Sequence, residues 1–475
     1  MRGKRIQVRN KLLAVMLAAP GAALAQSSVT VSGAIKLWYE VSNASGASNI
    51  AQSGSPVTTF DLPRRDRIQD GNGSNIRFTA VEEIGAGLQG FMQVESAVIN
   101  NANTRNDAAG NASQAVSSTQ SAGGWATRNS GVGLRSQTWG EVLVGVWDVH
   151  YHEQDAVDYQ QLKGPSHSSV LGVMNTIGAP GWASGAGSLG GLQIGARYSN
   201  VIRYQSPSWS GANFRLAYAR PSDGTVPTTS GTVVEGSKNK VVNAAVQWSY
   251  GPITVGASGL RDADVAMTQA SLYSGAALTD TSAGAPLAAT VGSANAGSAG
   301  TNLATVTSAR FSAAYLFPFG LRIGYVYDRS RLLIKSSGAG FGDSEFKRSV
   351  WALPFSFSTG AHTVFATYAQ ASRLNGALGQ PGGAQSVQLC DVGVTPAGAA
   401  PGSVPLEMGA ETGARFYSLG YQYDLSKRTN LHLNFSQIKN DKLAGYDFYA
   451  NGVGMANGNF GADPTVVSLG LRHAF

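Results

Sequence analysis

The chain has 475 residues, with 35 Lys or Arg against 28 Asp or Glu and a formal charge of +7, a balance that on its own invites a nucleic-acid partner. Charged residues make up only 13%, Gly accounts for 60 positions, and there are 17 Tyr and 8 Trp. That composition disfavours helical bundles and coiled coils and favours β structure.

In chain order, the first element is an address. Arg2, Lys4, Arg5, Arg9 and Lys11 precede the apolar run from Leu12 to Ala19, and Ala23-Leu24-Ala25 follows. A charged stretch, a short apolar stretch and a small-residue site read as a secretory signal over 1–25, with the mature unit spanning 26–475. The signal takes five basic residues with it and leaves 30 against 28 acids, about +2. Nucleic acid is thereby excluded as a partner. Nothing after residue 25 approaches the ~18 consecutive apolar residues of a spanning helix. Cys390 is the single cysteine, so an intrachain disulfide is excluded as well.

The mature chain then reads with a period of two. Phe214, Leu216 and Tyr218 alternate with Arg215, and Phe311, Ala313, Tyr315 and Phe317 alternate with Arg310 and Ser312. Leu321, Ile323, Tyr325 and Tyr327 oppose Arg322 and Asp328, and Leu431, Leu433 and Phe435 oppose His432 and Asn434. Last come Val467, Leu469, Leu471 and Phe475 against Ser468, Gly470 and Arg472. Each is an amphipathic strand of about ten residues, the length that crosses a bilayer at a tilt. Pro354 interrupts one of them.

Short connections sit at Glu83 to Gly87, Thr138 to Gly140, Pro207 to Gly211, Gly251-Pro252, Pro318 to Gly320, Thr359-Gly360 and Asp424 to Lys427. Long ones run near 42–73, 100–127, 148–196, 222–239, 262–306, 330–346, 373–412 and 441–463. Seven short turns and eight long loops imply sixteen antiparallel strands, the layout of an outer-membrane barrel. The aromatics Trp38, Tyr39, Tyr250, Tyr325, Tyr327, Tyr417, Tyr421 and Tyr423 lie near strand ends, as two interfacial girdles require. A spanning sheet must close, because lipid cannot satisfy an open edge.

Several segments carry a resemblance. Val29-Thr30-Val31-Ser32-Gly33, Glu82-Glu83-Ile84-Gly85-Ala86-Gly87-Leu88 and Asn200-Val201-Ile202-Arg203-Tyr204-Gln205-Ser206-Pro207 resemble Gram-negative general porins of the burkholderial and neisserial type. The same holds for Tyr417 through Thr429 and for the ending Gly470-Leu471-Arg472-His473-Ala474-Phe475. The resemblance implies a homotrimeric sixteen-stranded barrel in the outer membrane, amid lipid and lipopolysaccharide, through which small hydrophilic solutes diffuse. It further implies a third loop folded into the lumen and a terminal Phe475 that is read by the outer-membrane assembly machinery.

Parity places Lys36, Arg77, Arg135, Arg203, Arg215, Arg310, Arg322 and Arg472 in the lumen, with Glu40, Glu95 and Asp328. The third loop opens with Asp148, Glu153, Asp155 and Asp158. Arg77, Arg135 and Arg203 are expected to face these acids across the constriction, a basic wall against an acidic loop that favours anions mildly. Two departures from the resembled family stand out: Asn75 where Arg is common, with Arg77 two residues on, and Val146 where Arg is common.

Other signals point nowhere stronger. Gly185 to Gly190 lacks the strand and helix of a dinucleotide fold. His150, His152 and Glu153 could hold a metal if extended, but only His167 offers a further ligand, so no metal or cofactor is expected. Ser166-His167-Ser168 lacks a positioned acid, so no enzyme is expected. The leading reading is a passive diffusion channel. The alternatives are a substrate-specific channel using Trp125, Trp147 and Trp182 as a track for sugars or organic acids, and a surface adhesin barrel.

Overall fold

The computed structural model describes residues 28–48, 50–52, 61–70, 73–98, 125–150, 152–153, 157–158, 164–175, 194–221, 225–227, 233–235, 239–267, 278–280, 285–289, 302–335, 343–378, 387–388, 393–396, 406–407, 411–448, 452–455 and 459–475. The expected signal over 1–25, Asp155, Trp182 and Cys390 lie outside them.

Sixteen antiparallel strands form the wall: β1 (Ser28–Ser45), β2 (Asn75–Gly85), β3 (Leu88–Ala97), β4 (Ser130–Ser136), β5 (Gly140–Val149), β6 (Ala196–Gln205), β7 (Ala212–Ala219) and β8 (Lys240–Tyr250), followed by β9 (Ile253–Met267), β10 (Asn302–Leu316), β11 (Leu321–Lys335), β12 (Ser344–Thr359), β13 (His362–Ala371), β14 (Ala414–Asp424), β15 (Thr429–Asn440) and β16 (Asp463–Ala474). Each pairs with its neighbours in sequence, and β16 returns to β1 with Lys36 opposite Arg472. The other edge of β1 pairs with β2 below and with the segment Leu62–Asp70 above, so β2 is continued upward across a break. At the seam, the Phe475 N–H donates to the Gly33 carbonyl and the Gly33 N–H donates back to Phe475, both at 3.1 Å. The sheet thus closes and leaves no edge for lipid to meet.

The alternation sorts the two faces. Leu431, Leu433, Phe435, Val467, Leu469, Leu471 and Phe475 are exposed on the outside, while His432, Asn434, Ser436 and Ser468 are buried within. The same holds for Phe311 and Tyr315 against Arg310 and Ser312. A cation facing the mid-bilayer costs ~2–4 kcal/mol, which is the force that holds these arginines inward.

Two expectations are corrected. Trp38 belongs to no outer girdle: only 1% exposed, it faces inward and meets the His432 ring edge-on at 5.1 Å, because adjacent residues on a strand take opposite faces and Tyr39 takes the outer one. The expected loop 330–346 shrinks to eight residues, 336–343, since the ladder runs on to Ile334 opposite Ser344. There Arg331 and Lys347 pair with Glu345. β1 and β9 to β12 exceed the expected ten residues in the same way, reaching 15 to 18.

Candidate functional site

The third loop enters the lumen at His150, whose backbone is left-handed (φ 63°) and turns the chain inward. Its imidazole lies between two wall hydroxyls, with Ser258 Oγ 2.8 Å from Nδ1 and Ser308 Oγ 2.9 Å from Nε2. Arg310 donates to the His150 carbonyl at 3.1 Å and to Asp328 at 3.0 Å. Further along, the Val157 carbonyl passes over β11 and β12 at Gly324 and Pro354. A Cβ on Gly324 would stand 2.8 Å from Pro354 Cγ and 3.3 Å from that carbonyl, so only glycine leaves room for the loop.

On the far wall, His167 Nε2 meets Ser468 Oγ at 3.0 Å on β16, and its Nδ1 lies 3.9 Å from Glu40 on β1. A short helix, α1 (Leu171–Met174), follows. Its terminal carbonyls, on Val173 and Met174, accept from the Arg348 guanidinium of β12, which also lies 5.7 Å over the Tyr446 ring. The described parts of the loop therefore cross the lumen from β5 to β16, held by side chains of β9, β10, β12 and β16. Burial drives the His150 imidazole down to about 4, helped by Arg310, and the His167 imidazole down to about 3, helped by Arg67. Both rings are neutral at pH 7.

Around the loop the charges form local pairs. Glu95, buried on β3, accepts from Arg77 at 2.7 Å, Arg128 at 2.6 Å and Asn75 at 2.7 Å. Asp148 lies 3.0 Å from Arg197, accepts from Asn129 at 2.8 Å and stands 3.6 Å from His152. Arg203 lies 3.2 Å from Glu141 and stacks over Trp147 at 5.4 Å, and Arg215 pairs with Glu153. Trp147, Asp148, His152, Glu153, Arg203 and Arg215 line one cavity with Asn129, Ala217 and Asn243.

The expected partition into basic wall and acidic loop is thus only partly met. Arg203 and Arg215 stand beside the loop acid Glu153. Arg77 turns to Glu95 instead, and Arg135 donates to Gln89 at 2.6 Å and lies over Phe91 near the short-turn end. Arg310, expected in the open lumen, is 3% exposed beneath His150. Asp158, expected at the eyelet, is fully buried. Lys36 is buried with its amine near Gly73, Arg322 starts β11 beside a short turn, and Arg472 donates to Asn430 at 3.2 Å. The physical reason is proximity: Arg77, Arg203, Arg215 and Arg310 each take a carboxylate on a neighbouring strand or on the loop, while Arg135 and Arg472 settle on the amides of Gln89 and Asn430. Trp125 leans on Phe78 at 6.1 Å, on the face opposite Arg77, and forms no track with Trp147.

Sequence reasoning passed over Arg128, Arg197 and Arg348. Continuing the alternation from the buried Ala352 and Val350 to Arg348 would have found the last. Among the described residues no three His, Cys, Asp or Glu side chains group as metal ligands.

The family described as "Gram-negative porin" matches this chain over residues 12–443. Outer membrane porin protein 32 of Delftia acidovorans is 24% identical over 98% of this chain and 100% of its own, and an outer membrane porin protein of Bordetella pertussis has the same identity and coverage. An anion-selective porin from Comamonas acidovorans superimposes with a TM-score of 0.55 at 18% identity, over 95% of this chain and 100% of its own. A loop L8 deletion mutant of OmpT from Vibrio cholerae does so at 0.52 and 12%, over 94% and 99%.

Proposed function

Since the chain belongs to the Gram-negative porin family, we propose that it forms a water-filled channel that favours anions mildly and acts without catalysis or cofactor. It resides in the outer membrane and serves passive diffusion. The observation that carries this reading is a closed sixteen-stranded barrel whose apolar side chains face out, whose polar ones face in, and whose lumen is crossed by its own third loop. Anion preference rests on a local excess of guanidinium, as where Arg77 and Arg128 share the single carboxylate of Glu95, and is in keeping with the selectivity named for the Comamonas porin.

Residues 1–25 direct export, Phe475 serves as the assembly signal, and three copies associate amid lipid and lipopolysaccharide. In a planar bilayer under a salt gradient, the purified protein is expected to insert in stepwise conductance increments, three levels per insertion. Its reversal potential should take the sign of a modest chloride preference. Absence of conductance refutes the channel, and a cation-signed potential refutes the selectivity.

A further inference from the structure

The cavity at the base of the third loop combines features that a purely aqueous pore has no need of. Trp147, the last lumen-side aromatic before the loop, follows a register shift in which Ser199 and Asn200 of the neighbouring strand oppose Val146. Its ring carries the Arg203 guanidinium at 5.4 Å, and Arg215 stands on the next strand. One terminal nitrogen of Arg215 engages Glu153 on the loop, but its Nε–H is buried and finds no acceptor among the described residues. A buried donor left unmade is costly, by ~1–3 kcal/mol, and here it borders a cavity. What the Arg215 Nε–H lacks is an acceptor, and what the cavity offers beside that gap is an aromatic face.

We infer that this cavity is a selective subsite for planar aromatic carboxylates, resting on the channel reading above. The carboxylate accepts from Arg215 Nε–H and from the terminal nitrogen on the same edge, displacing Glu153 from it. The ring stacks on the layer made by Trp147 and Arg203, since guanidinium and indole planes both take aromatic partners. Asn129, Asp148, His152 and Asn243 supply the polar part of the remaining rim. An aliphatic carboxylate finds the donor but not the stack, and a neutral aromatic alcohol finds the stack but not the donor. An aromatic ammonium meets two guanidinium groups, and the two carboxylates of the lining, Asp148 and Glu153, are already held by Arg197 and Arg215. The loop acid acts as an internal competitor: Glu153 holds Arg215 when the subsite is empty and gives way when a better-placed carboxylate arrives.

The test is a planar-bilayer recording of purified protein at pH 7 with chloride constant on both sides and sodium benzoate, sodium acetate or benzyl alcohol added to one. Benzoate is expected to reduce chloride current in a saturable way, while acetate and benzyl alcohol at the same concentration do not. Trp147→Ala should weaken the apparent benzoate affinity about tenfold, Trp147→Phe should largely keep it, and Glu153→Gln should strengthen it. If Trp147→Ala does not assemble, the conservative Trp147→Phe and the oppositely directed Glu153→Gln carry the test. Equal effects of acetate and benzoate, or unchanged affinity in Glu153→Gln and in an assembled Trp147→Ala, overturn the subsite while leaving the channel intact. A wild-type protein without conductance overturns the channel itself.

Discussion

Mild acid is expected to loosen the third loop from the wall, because two of its anchors are buried neutral imidazoles. His150 titrates near 4 and His167 near 3 when docked, whereas an imidazole released into water titrates near ~6.5. The docked values are the lower ones, so the released loop binds more protons. Docking is therefore fully favoured above about pH 6.5 and weakens as pH falls, until the docked rings themselves protonate. Between pH 6.5 and 5 each histidine gives up ~2 kcal/mol, at ~1.36 kcal/mol per pH unit. The groups that face His150 are Ser258, Ser308, Arg310 and Asp328, and those that face His167 are Ser468, Glu40 and Arg67, with the Phe448 ring 6.1 Å away. The assay is single-channel recording from pH 7 to 5, a window in which ordinary exposed carboxylates keep their charge. Wild type should show rising open-channel noise and a drift in conductance, and a His150→Gln, His167→Gln double variant should show neither. A double variant that drifts as wild type does would refute the assignment of the effect to these rings.

Two further expectations follow from the same geometry. Arg348→Met removes the donors to the Val173 and Met174 carbonyls, at a cost to loop docking of ~2–4 kcal/mol, and should raise conductance with a wider spread of levels; Arg348→Lys should recover part of the wild-type value. Glu95→Gln leaves Arg77 and Arg128 without their shared carboxylate and should move the reversal potential toward stronger chloride preference, an effect that shrinks as ionic strength rises.

Much of the wall was legible because a strand has a period of two. Once Arg215, Arg310 and Arg322 alternate with aromatics, parity alone assigns their face, and the lipid penalty fixes its sign. Turn chemistry located the seven hairpins for the same local reason. Where parity was not applied, the reading failed: Trp38 and Tyr39 could not share a girdle. Loop ends were misplaced around 330–346, where the ladder continues with the charged Arg331, Glu345 and Lys347 interleaved among Leu332, Ile334 and Phe346, so that charge there does not mark a loop.

The charges of the lumen were a different matter. Parity gives each residue a face but no height, so Arg77, Arg203 and Arg215 looked equivalent from the sequence. The structure separates them, with Arg77 on Glu95, Arg203 over Trp147 and Arg215 on Glu153. His150 and His167, which by spacing suggested a metal or a hydrolase, became visible as anchors only when strands more than a hundred residues away brought Ser258, Ser308 and Ser468 to them. The sequence by itself determined the barrel, its inside and its outside, because alternation and turn residues act within a few positions. Only the tertiary structure decided which charges neutralise one another and where the third loop is held, because ion pairing depends on distances that barrel closure alone sets.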